Sequence, residues 1–340
     1  MTSSHEQQLS RLQQKVWDGS IPLEIRLSSA ECRTFDESDA YLIQVPRISY
    51  LPLLLPRIYA FFRSYLIEPD ACAAHDGWFS YEDVPLKWHY PLGLLYDLYA
   101  GAEPANAEVE GEGDNGNSET SEPDTLPWKL VVHFTDWPSE QLVKLDSEGK
   151  QLLDAFRNSV KEAGFIRHST GKVVMGLGYE DSTQIWRAVE EHDLSLFNPV
   201  HAKLLNPPGL SLKNIPIRLY LPSTAAPTQL SAPSPSPGPA SPAPNPNPIE
   251  EEPPAAGTLR VFQSLVPPSL PSGGSRSQPH TLGTALNTLL PTLFPSRRSP
   301  LLALPVLHGA VVPLSANLEE LARAVAYADG FLHVAVKMMG

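Results

Sequence analysis

The sequence predicts an α+β protein in which two similar units flank a helix-rich segment. The order strand, strand, helix, strand, helix, strand occurs once near each end of the chain. Each copy opens on an Ile-Pro pair with an Arg-Leu pair shortly after it, at Ile21 and at Ile215, and a Val-Pro-Leu triplet recurs late in each. Between the copies, apolar residues recur every three or four positions, as in amphipathic helices. The repeated order and motifs indicate two equivalent structural units.

The first unit is predicted over residues 20–136, after a short N-terminal helix over 1–19. Its strands are rich in β-branched and aromatic residues, whereas its helices carry longer apolar runs. The predicted elements are strands over 21–27, 41–45, 78–81 and 128–134 and helices over 53–67 and 92–99, with a turn at Val84-Pro85-Leu86.

The second unit is predicted over residues 213–340 and repeats the order of the first. Its predicted elements are strands over 215–220, 259–262, 301–307 and 331–336 and helices over 281–290 and 317–327. Thr281 is placed to cap the first of these helices, because its hydroxyl can accept from a free backbone N–H group. Both units fit the ubiquitin-like β-grasp fold, in which the last strand lies centrally. His133 and His333 lie in the two last strands, where we expect comparable positions and a shared structural role.

The segment between the units, residues 147–206, is predicted to be mostly helical. In its first helix Phe156, Val160 and Ala163 share an apolar face, which places Lys161 on the opposite, polar face. A second helix is predicted over 182–192. A lysine on a polar helix face usually keeps the helix soluble, so the helical pattern alone assigns Lys161 no special role.

Two insertions interrupt the units. Residues 102–124 are rich in Glu, Gly, Asn and Ser, and residues 222–256 contain the run SPSPGPASPAPNPNP. The first composition lacks apolar surface to bury and the second lacks backbone donors, so we expect both segments to be disordered loops. The PxxP spacings of the second could dock a proline-reading groove, although a spacer is the commoner role of such composition. A third loop is expected over 267–279.

Charge, cysteines and hydropathy narrow the classes of function. Of the formal net charge of −13, eight units come from acidic residues between Glu103 and Asp124 and three from 250–252, so the predicted folded parts are close to neutral. A nucleic-acid-binding surface is therefore not indicated. Cys32 and Cys72 lack metal-ligand spacing, and no apolar run has membrane-spanning length. We expect a cytoplasmic protein with no cofactor and no metal.

The familiar catalytic motifs do not occur in the sequence: it has no G-x-S-x-G, no H-E-x-x-H, no paired C-x-x-C and no P-loop. Distant residues can still meet in a fold, so an unrecognised enzyme stays open as an alternative. The segment PLKWHYPLGLL over 85–95 is dense in large apolar and aromatic residues. Either core packing or an exposed partner-binding patch accounts for it, because Trp and Tyr are enriched at the centres of interfaces.

Several motifs resemble the autophagy protein 5 family, and they run in order from residue 16 to the C-terminus. The most specific is PLKWHYP followed by GLL over 85–95. The others are VWxGxIP from Val16, PRxSYL from Pro46, WF at Trp78, LPW from Leu126 with VHF from Val132, IPxRxY from Ile215, HTLG from His280 and FLH from Phe331. The resemblance implies two ubiquitin-like domains around a helix-rich domain, in agreement with the fold predicted from the pattern.

The resemblance also implies a function that is not enzymatic on its own. Proteins of this family are joined through one lysine to the C-terminal glycine of a ubiquitin-like modifier, autophagy protein 12, and they bind the coiled-coil autophagy protein 16. The assembly acts like a ubiquitin ligase that promotes transfer of autophagy protein 8 to phosphatidylethanolamine. We therefore expect the conjugating enzymes of autophagy and phosphatidylethanolamine-containing membranes as further partners, with a peripheral location at the preautophagosomal structure or phagophore.

The family's acceptor lysine lies in a Phe-x-x-x-x-Lys-Glu-Ala segment, which Phe156 and Lys161-Glu162-Ala163 match. The resemblance thus implies that Lys161 is the isopeptide acceptor and that the chain has no catalytic residue. An unconjugated tandem ubiquitin-like adaptor is the alternative among binding proteins, and it would show no Lys161-dependent conjugate.

Partner contacts are expected at Trp88, Tyr90, Arg47 and Tyr50, which lie within the shared motifs. The helix of the coiled-coil partner should occupy a groove where the domains meet, with apolar contacts at helical spacing. Basic residues are expected to contact the membrane, but the sequence does not gather Lys87, Lys129 or Arg47 onto one face.

Overall fold

The computed structural model describes residues 2–33, 38–101, 126–222, 259–270 and 278–339. The segment 102–124, expected to be disordered, lies outside the described residues. The same holds for the segment expected over 222–256, apart from Pro222, which ends a strand. Within the described residues, two five-stranded sheets are separated along the chain by a run of helices.

The first sheet follows an N-terminal helix. The elements are α1 (Thr2–Asp18), β1 (Ser20–Leu27), β2 (Tyr41–Pro46), α2 (Leu55–Phe62), β3 (Trp78–Tyr81), β4 (Val84–Pro85), α3 (Leu92–Tyr99) and β5 (Trp128–His133). The strand order is β2-β1-β5-β3-β4, with β5 parallel to β1 and β2 antiparallel to it. Leu23, Ile25 and Leu27 alternate with more exposed residues and point into the core, as the period of a strand requires.

Two predictions for this unit need correction. The helix predicted over 53–67 is a 3₁₀ turn over Leu51–Leu54 followed by the shorter α2, because Pro52 and Pro56 are tolerated only near helix starts. The predicted turn at Val84-Pro85-Leu86 contains the two-residue strand β4, in which Val84 pairs with Tyr81.

The middle segment forms four helices, α4 (Lys150–His168), α5 (Lys172–Met175), α6 (Tyr179–Glu190) and α7 (Leu194–Leu205). Its predicted helical character is confirmed. Asp193 caps α7, since its Oδ1 atom accepts from the backbone N–H of Ser195 at 2.7 Å. Trp17 of α1 packs on Phe197 of α7, with ring centroids 4.9 Å apart, which fixes the N-terminal helix against the bundle.

The second sheet has the same connectivity as the first. The elements are β6 (Ile217–Pro222), β7 (Leu259–Gln263), β8 (Ser269–Leu270), β9 (Gln278–Pro279), α8 (Leu282–Leu289), β10 (Ala303–Leu307), β11 (Ala310–Val311), α9 (Leu318–Ala324) and β12 (Leu332–Met338). The order is β11-β10-β12-β6-β7, with the central β12 parallel to β6. Thr281 caps α8 as predicted, accepting from the N–H of Thr284. The loop expected over 267–279 is wrong at its ends, where β8 pairs with β9.

Strand register corrects the expectation for the two histidines. Leu23 pairs with Trp128 in the first sheet, and Ile217, which follows the corresponding Ile-Pro pair, pairs with Leu332 in the second. Trp128 and Leu332 are therefore equivalent positions. His133 lies five residues after Trp128, whereas His333 lies one residue after Leu332, so the two histidines do not occupy equivalent positions.

Candidate functional site

Lys161 lies on the solvent face of α4, the longest helix of the middle segment. Phe156, Val160 and Ala163 are buried on the other side, so the amphipathic pattern predicted for this helix is correct. Within the described part of the chain, no hydrogen bond or ion pair occupies the Lys161 ammonium group. Phe165, one turn further along the same face, is 58% exposed. The Lys161 amine is thus open to approach by another protein.

The residues on either side of Lys161 are attached to the second sheet. The Ser159 hydroxyl donates to Oδ2 of Asp329 at 2.6 Å. The Glu162 carboxylate accepts from Nη2 of Arg218 at 2.5 Å and from Nε2 of Gln263 at 2.7 Å. Arg218 lies on β6 and Gln263 on β7, so two neighbouring strands hold this turn of α4.

Arg218 is the centre of these attachments. Its Nε donates to Oε1 of Gln263 at 2.8 Å and its Nη1 to the Ser159 hydroxyl at 3.3 Å. The guanidinium carbon lies 3.8 Å from the centroid of the Phe331 ring, within the range of a cation–π contact. A planar group with five donors suits this combination of carboxylate, amide, hydroxyl and ring better than an ammonium would.

Asp329 continues the network into the interior. Its Oδ2 also accepts from Nε2 of His333 at 2.9 Å, and Nδ1 of His333 meets the Tyr220 hydroxyl at 2.7 Å. Burial by itself would raise the pKa of Asp329, but the interaction with His333 and the hydrogen bonds to the carboxylate lower it below the ordinary value. Burial raises the pKa of Tyr220 well above its ordinary value. The buried carboxylate is therefore kept ionised by its donors.

A cleft of about 340 Å³ opens beside this network. His89 and Tyr90 line it from the first unit, Asn158 and Glu162 from α4, and Val261 from β7. Tyr90 is half-buried and meets the Tyr220 ring edge-on, with centroids 5.3 Å apart. Burial raises the pKa of the Tyr90 hydroxyl. The cleft is the place where the first unit, α4 and the second sheet meet, and Glu162 in its wall is next to Lys161 in the sequence.

The other three predicted partner residues lie in the interior. Trp88 is 7% exposed, and its indole N–H donates to the carbonyl of Val143 at 2.8 Å. Tyr50 is 3% exposed and packs near Phe156 and Trp186, with ring centroids 6.3 and 6.2 Å away. Core packing accounts for both rings, and partner contact at these positions stays a prediction.

Arg47 is also buried, at 9% exposure, and pairs with Asp97 of α3. Its charge is therefore held inside the molecule and is not part of an exposed basic face with Lys87 and Lys129. Of the four residues predicted to bind partners, Tyr90 has the most accessible position.

One set of side chains lies in the order of a nucleophile, a base and an acid. The Ser80 hydroxyl is 2.8 Å from Nε2 of His133, whose Nδ1 is 4.0 Å from Oε1 of Glu31. Ser80 is 3% exposed, and burial lowers the pKa of His133 to about 4. The Glu31 carboxylate accepts from the backbone N–H of Phe134 at 2.8 Å. These contacts close the end of the first sheet, and the buried hydroxyl offers no access to a substrate.

A groove runs between α1 and α9. It encloses about 470 Å³ and is lined by His5, Glu6, Leu9, Asn317, Glu319, Glu320 and Arg323. A cleft of about 300 Å³ adjoins it, shares Glu319 and Arg323, and adds Arg167, Leu205, Leu210 and Leu212 among its walls. Together the two clefts follow the junction of α1, the middle segment and α9 of the second unit. Hydrophobic periodicity does not predict that α1 forms a wall of this groove, because α1 is polar over most of its length.

Among the described residues, no group of three or more His, Cys, Asp or Glu side chains is arranged to hold a metal ion. None of the helices described is both long enough and apolar enough to span a bilayer.

Family models cover most of the chain. Residues 16–134 match "Autophagy protein ATG5, UblA domain", 149–207 match the alpha-helical bundle region of the same protein, and 214–336 match its UblB domain. The chain belongs to the autophagy protein 5 family. The resemblance inferred from the motifs is confirmed, and so is the fold of two ubiquitin-like units around helices.

Relatives match over nearly their whole length. Autophagy protein 5 of Phaeosphaeria nodorum is 53% identical over 332 residues, covering 97% of this chain and 98% of that protein. Autophagy protein 5 of Aspergillus terreus is 50% identical over 345 residues, covering 99% of each. The crystal structure of Kluyveromyces marxianus Atg5 has the same fold, with a TM-score of 0.68 at 21% identity over 96% of this chain and 99% of that one. Membership of the family supports a role in autophagy.

Proposed function

We propose that this protein is the conjugated scaffold subunit of a ligase-like complex of autophagy. It carries autophagy protein 12 on Lys161, binds autophagy protein 16, and promotes lipidation of autophagy protein 8 with phosphatidylethanolamine. It acts in the cytoplasm and peripherally at the phagophore, with domains over 20–136, 147–206 and 213–340. The single observation that carries the proposal is the exposed Lys161, whose ammonium group has no partner among the described residues and which lies on a fixed turn of α4 within the Phe-x-x-x-x-Lys-Glu-Ala segment.

The proposed bond is an isopeptide. The neutral Lys161 amine attacks the thioester that joins the modifier's C-terminal glycine to a cysteine of its conjugating enzyme. A C–N bond forms, the C–S bond breaks, the enzyme's thiolate leaves, and the amine loses a proton. Lysine reacts only as the neutral amine, so the conjugating enzyme has to supply deprotonation and alignment.

The groove between α1 and α9 is proposed as the seat of the coiled-coil partner's helix. Glu6, Glu319 and Glu320 outnumber Arg323 along its walls, and Leu9 provides an apolar surface. A helix lying in this groove would need an apolar stripe and basic residues beside it, as in other helix-in-groove complexes. The groove lies on a different part of the molecule from the cleft beside Glu162, so both partners can bind together.

The test replaces Lys161 by arginine in a cell that lacks the native protein. Arginine keeps the positive charge and the helix propensity but forms no isopeptide with the modifier. We expect the higher-mass conjugate to disappear on a denaturing gel for Lys161→Arg. Lys172→Arg, a matched change at another exposed lysine of the middle segment, should leave it intact.

The other results have definite meanings. A conjugate that persists in Lys161→Arg would move the acceptor to another lysine. A wild-type protein with no conjugate would favour the unconjugated adaptor. Peptide mass spectrometry of the wild-type conjugate identifies the modified lysine directly and separates these two cases.

A further inference from the structure

The acceptor turn of α4 is held on both sides of Lys161 by the second ubiquitin-like unit. Ser159, two residues before the lysine, bonds to Asp329, and Glu162, one residue after it, bonds to Arg218 and Gln263. Residues three apart lie on one face of a helix, so Ser159 and Glu162 together face the second sheet. Lys161 lies off that face, and no residue in the described part of the chain pairs with its ammonium group.

We propose that Glu162 and Arg218 are positioning residues for conjugation, so that the acceptor is a composite of α4 and the second ubiquitin-like unit. This inference rests on the proposed isopeptide at Lys161 and goes beyond it. The Glu162–Arg218 pair does not touch the reacting atoms. It fixes the backbone turn that presents the amine, which lowers the entropy lost when the amine aligns with the thioester.

The geometry favours positioning over general stabilisation. The Glu162 side chain is about half exposed, at 45%, so its ion pair with Arg218 is screened by solvent and contributes little to global stability. In contrast, Glu162 is adjacent to Lys161 in the sequence, so its contact with Arg218 fixes the orientation of the α4 turn that carries Lys161. Misplacement of a reacting group by about 1 Å can slow a reaction by about a hundredfold.

The experiment is single-turnover transfer of autophagy protein 12 from its preformed thioester on the conjugating enzyme to the full-length chain. Glu162→Ala, Arg218→Ala and the double variant are compared at increasing acceptor concentrations. We expect the maximal transfer rate to fall about tenfold in each single variant, while the half-saturating acceptor concentration stays within about twofold. Because Glu162 acts through its pair with Arg218, the double variant should be no slower than Arg218→Ala alone.

A matched pair elsewhere in the middle segment serves as the control. Arg187 of α6 and Glu191, the residue that follows α6, form an exposed ion pair of 2.7 Å, and their alanine variants should transfer at the wild-type rate. Thermal unfolding of every variant separates a change in folding from a change in rate.

Three outcomes would overturn the inference. The first is an unchanged maximal rate in Glu162→Ala and Arg218→Ala. The second is a double variant whose loss equals the product of the single losses, which would show independent roles. The third is a rate loss that follows the unfolded fraction. In all three the wild type still forms the Lys161 isopeptide, whereas a wild type without that bond overturns the proposed function itself.

Discussion

Oδ2 of Asp97 accepts a hydrogen bond from the backbone N–H of Gly309 at 2.9 Å, and this bond joins the two ubiquitin-like units. The other carboxylate oxygen pairs with Arg47, whose Nη2 also donates to the carbonyl of Gly93 at 3.1 Å. Burial raises the pKa of Asp97, and the charge of Arg47 opposes that effect. A Cβ on Gly93 would lie 2.8 Å from Cβ of Arg47, so the approach of α3 to Arg47 requires glycine there.

Replacing Asp97 by alanine should destabilise the protein by about 3–5 kcal/mol, because it leaves the buried Arg47 cation without its carboxylate. Urea unfolding at pH 7 measures the change. Glu319→Ala breaks an exposed pair with Arg323 and should cost less than about 1 kcal/mol. Equal losses in the two variants would mean that the Asp97 pair does not stabilise the junction.

The sequence predicted the repeated fold because local signals agree with it. Alternating burial in β1, the Thr281 cap and the apolar face of α4 all depend on residues near one another in the chain. The interior position of Arg47 could not be predicted in the same way. Its partner Asp97 is 50 residues away, and an arginine in a Pro-Arg motif gives no indication of a buried carboxylate.

The candidate site, too, was predicted only where its features depend on local sequence. The exposure of Lys161 followed from helical periodicity, and its proposed role came from the family motif. The attachment of Glu162 to Arg218 spans 56 residues and that to Gln263 spans 101. Such pairings depend on how the second sheet docks on α4, which periodicity does not describe.

Stability should fall with acid because of His201. Burial, assisted by the charge of Arg167, lowers the pKa of His201 to about 3, whereas an unfolded histidine titrates near about 6.5. Between these values the unfolded chain binds one more proton than the folded chain. The free energy of unfolding should therefore drop as pH falls below about 6.5, by about 1.4 kcal/mol per pH unit for this residue.

Comparing His201→Gln with wild type checks this dependence. Urea unfolding at several pH values between about 7.5 and 4.5 gives the slope for each protein, and the variant's slope should be smaller by about one proton. Glutamine keeps a polar side chain and suits a helix. Parallel curves for the two proteins would show that His201 does not carry this proton.

Ser159 should contribute to stability through the buried Asp329. Ser159→Ala removes the 2.6 Å donor to a carboxylate that is 4% exposed, and losing a donor to a buried charged group costs about 1–3 kcal/mol. Thermal or urea unfolding measures the loss. Thr183→Ala is the matched control, since the exposed Thr183 hydroxyl donates to the carbonyl of Tyr179 one turn earlier in α6. A loss in Thr183→Ala as large as that in Ser159→Ala would contradict the special role of Asp329.

The groove between α1 and α9 should bind a basic partner helix through its acidic wall. Glu320 lines that groove and lies 3.2 Å from His5, so Glu320→Lys places a repulsive charge beside the proposed helix. We expect binding of the N-terminal helix of autophagy protein 16 to weaken about fivefold, mainly through slower association. Glu180→Lys, on the exposed first turn of α6, changes the net charge equally and should bind as wild type does.

Salt dependence distinguishes this electrostatic effect from damage to the groove. At about 1 M salt the screening length falls to about 3 Å, and the affinity of Glu320→Lys should approach that of wild type. Surface plasmon resonance with the partner peptide, at low and at high salt, gives both rate constants. If Glu320→Lys still binds weakly at high salt, the substitution has displaced α1. If Glu320→Lys binds as tightly as wild type at low salt, the partner helix does not lie in this groove.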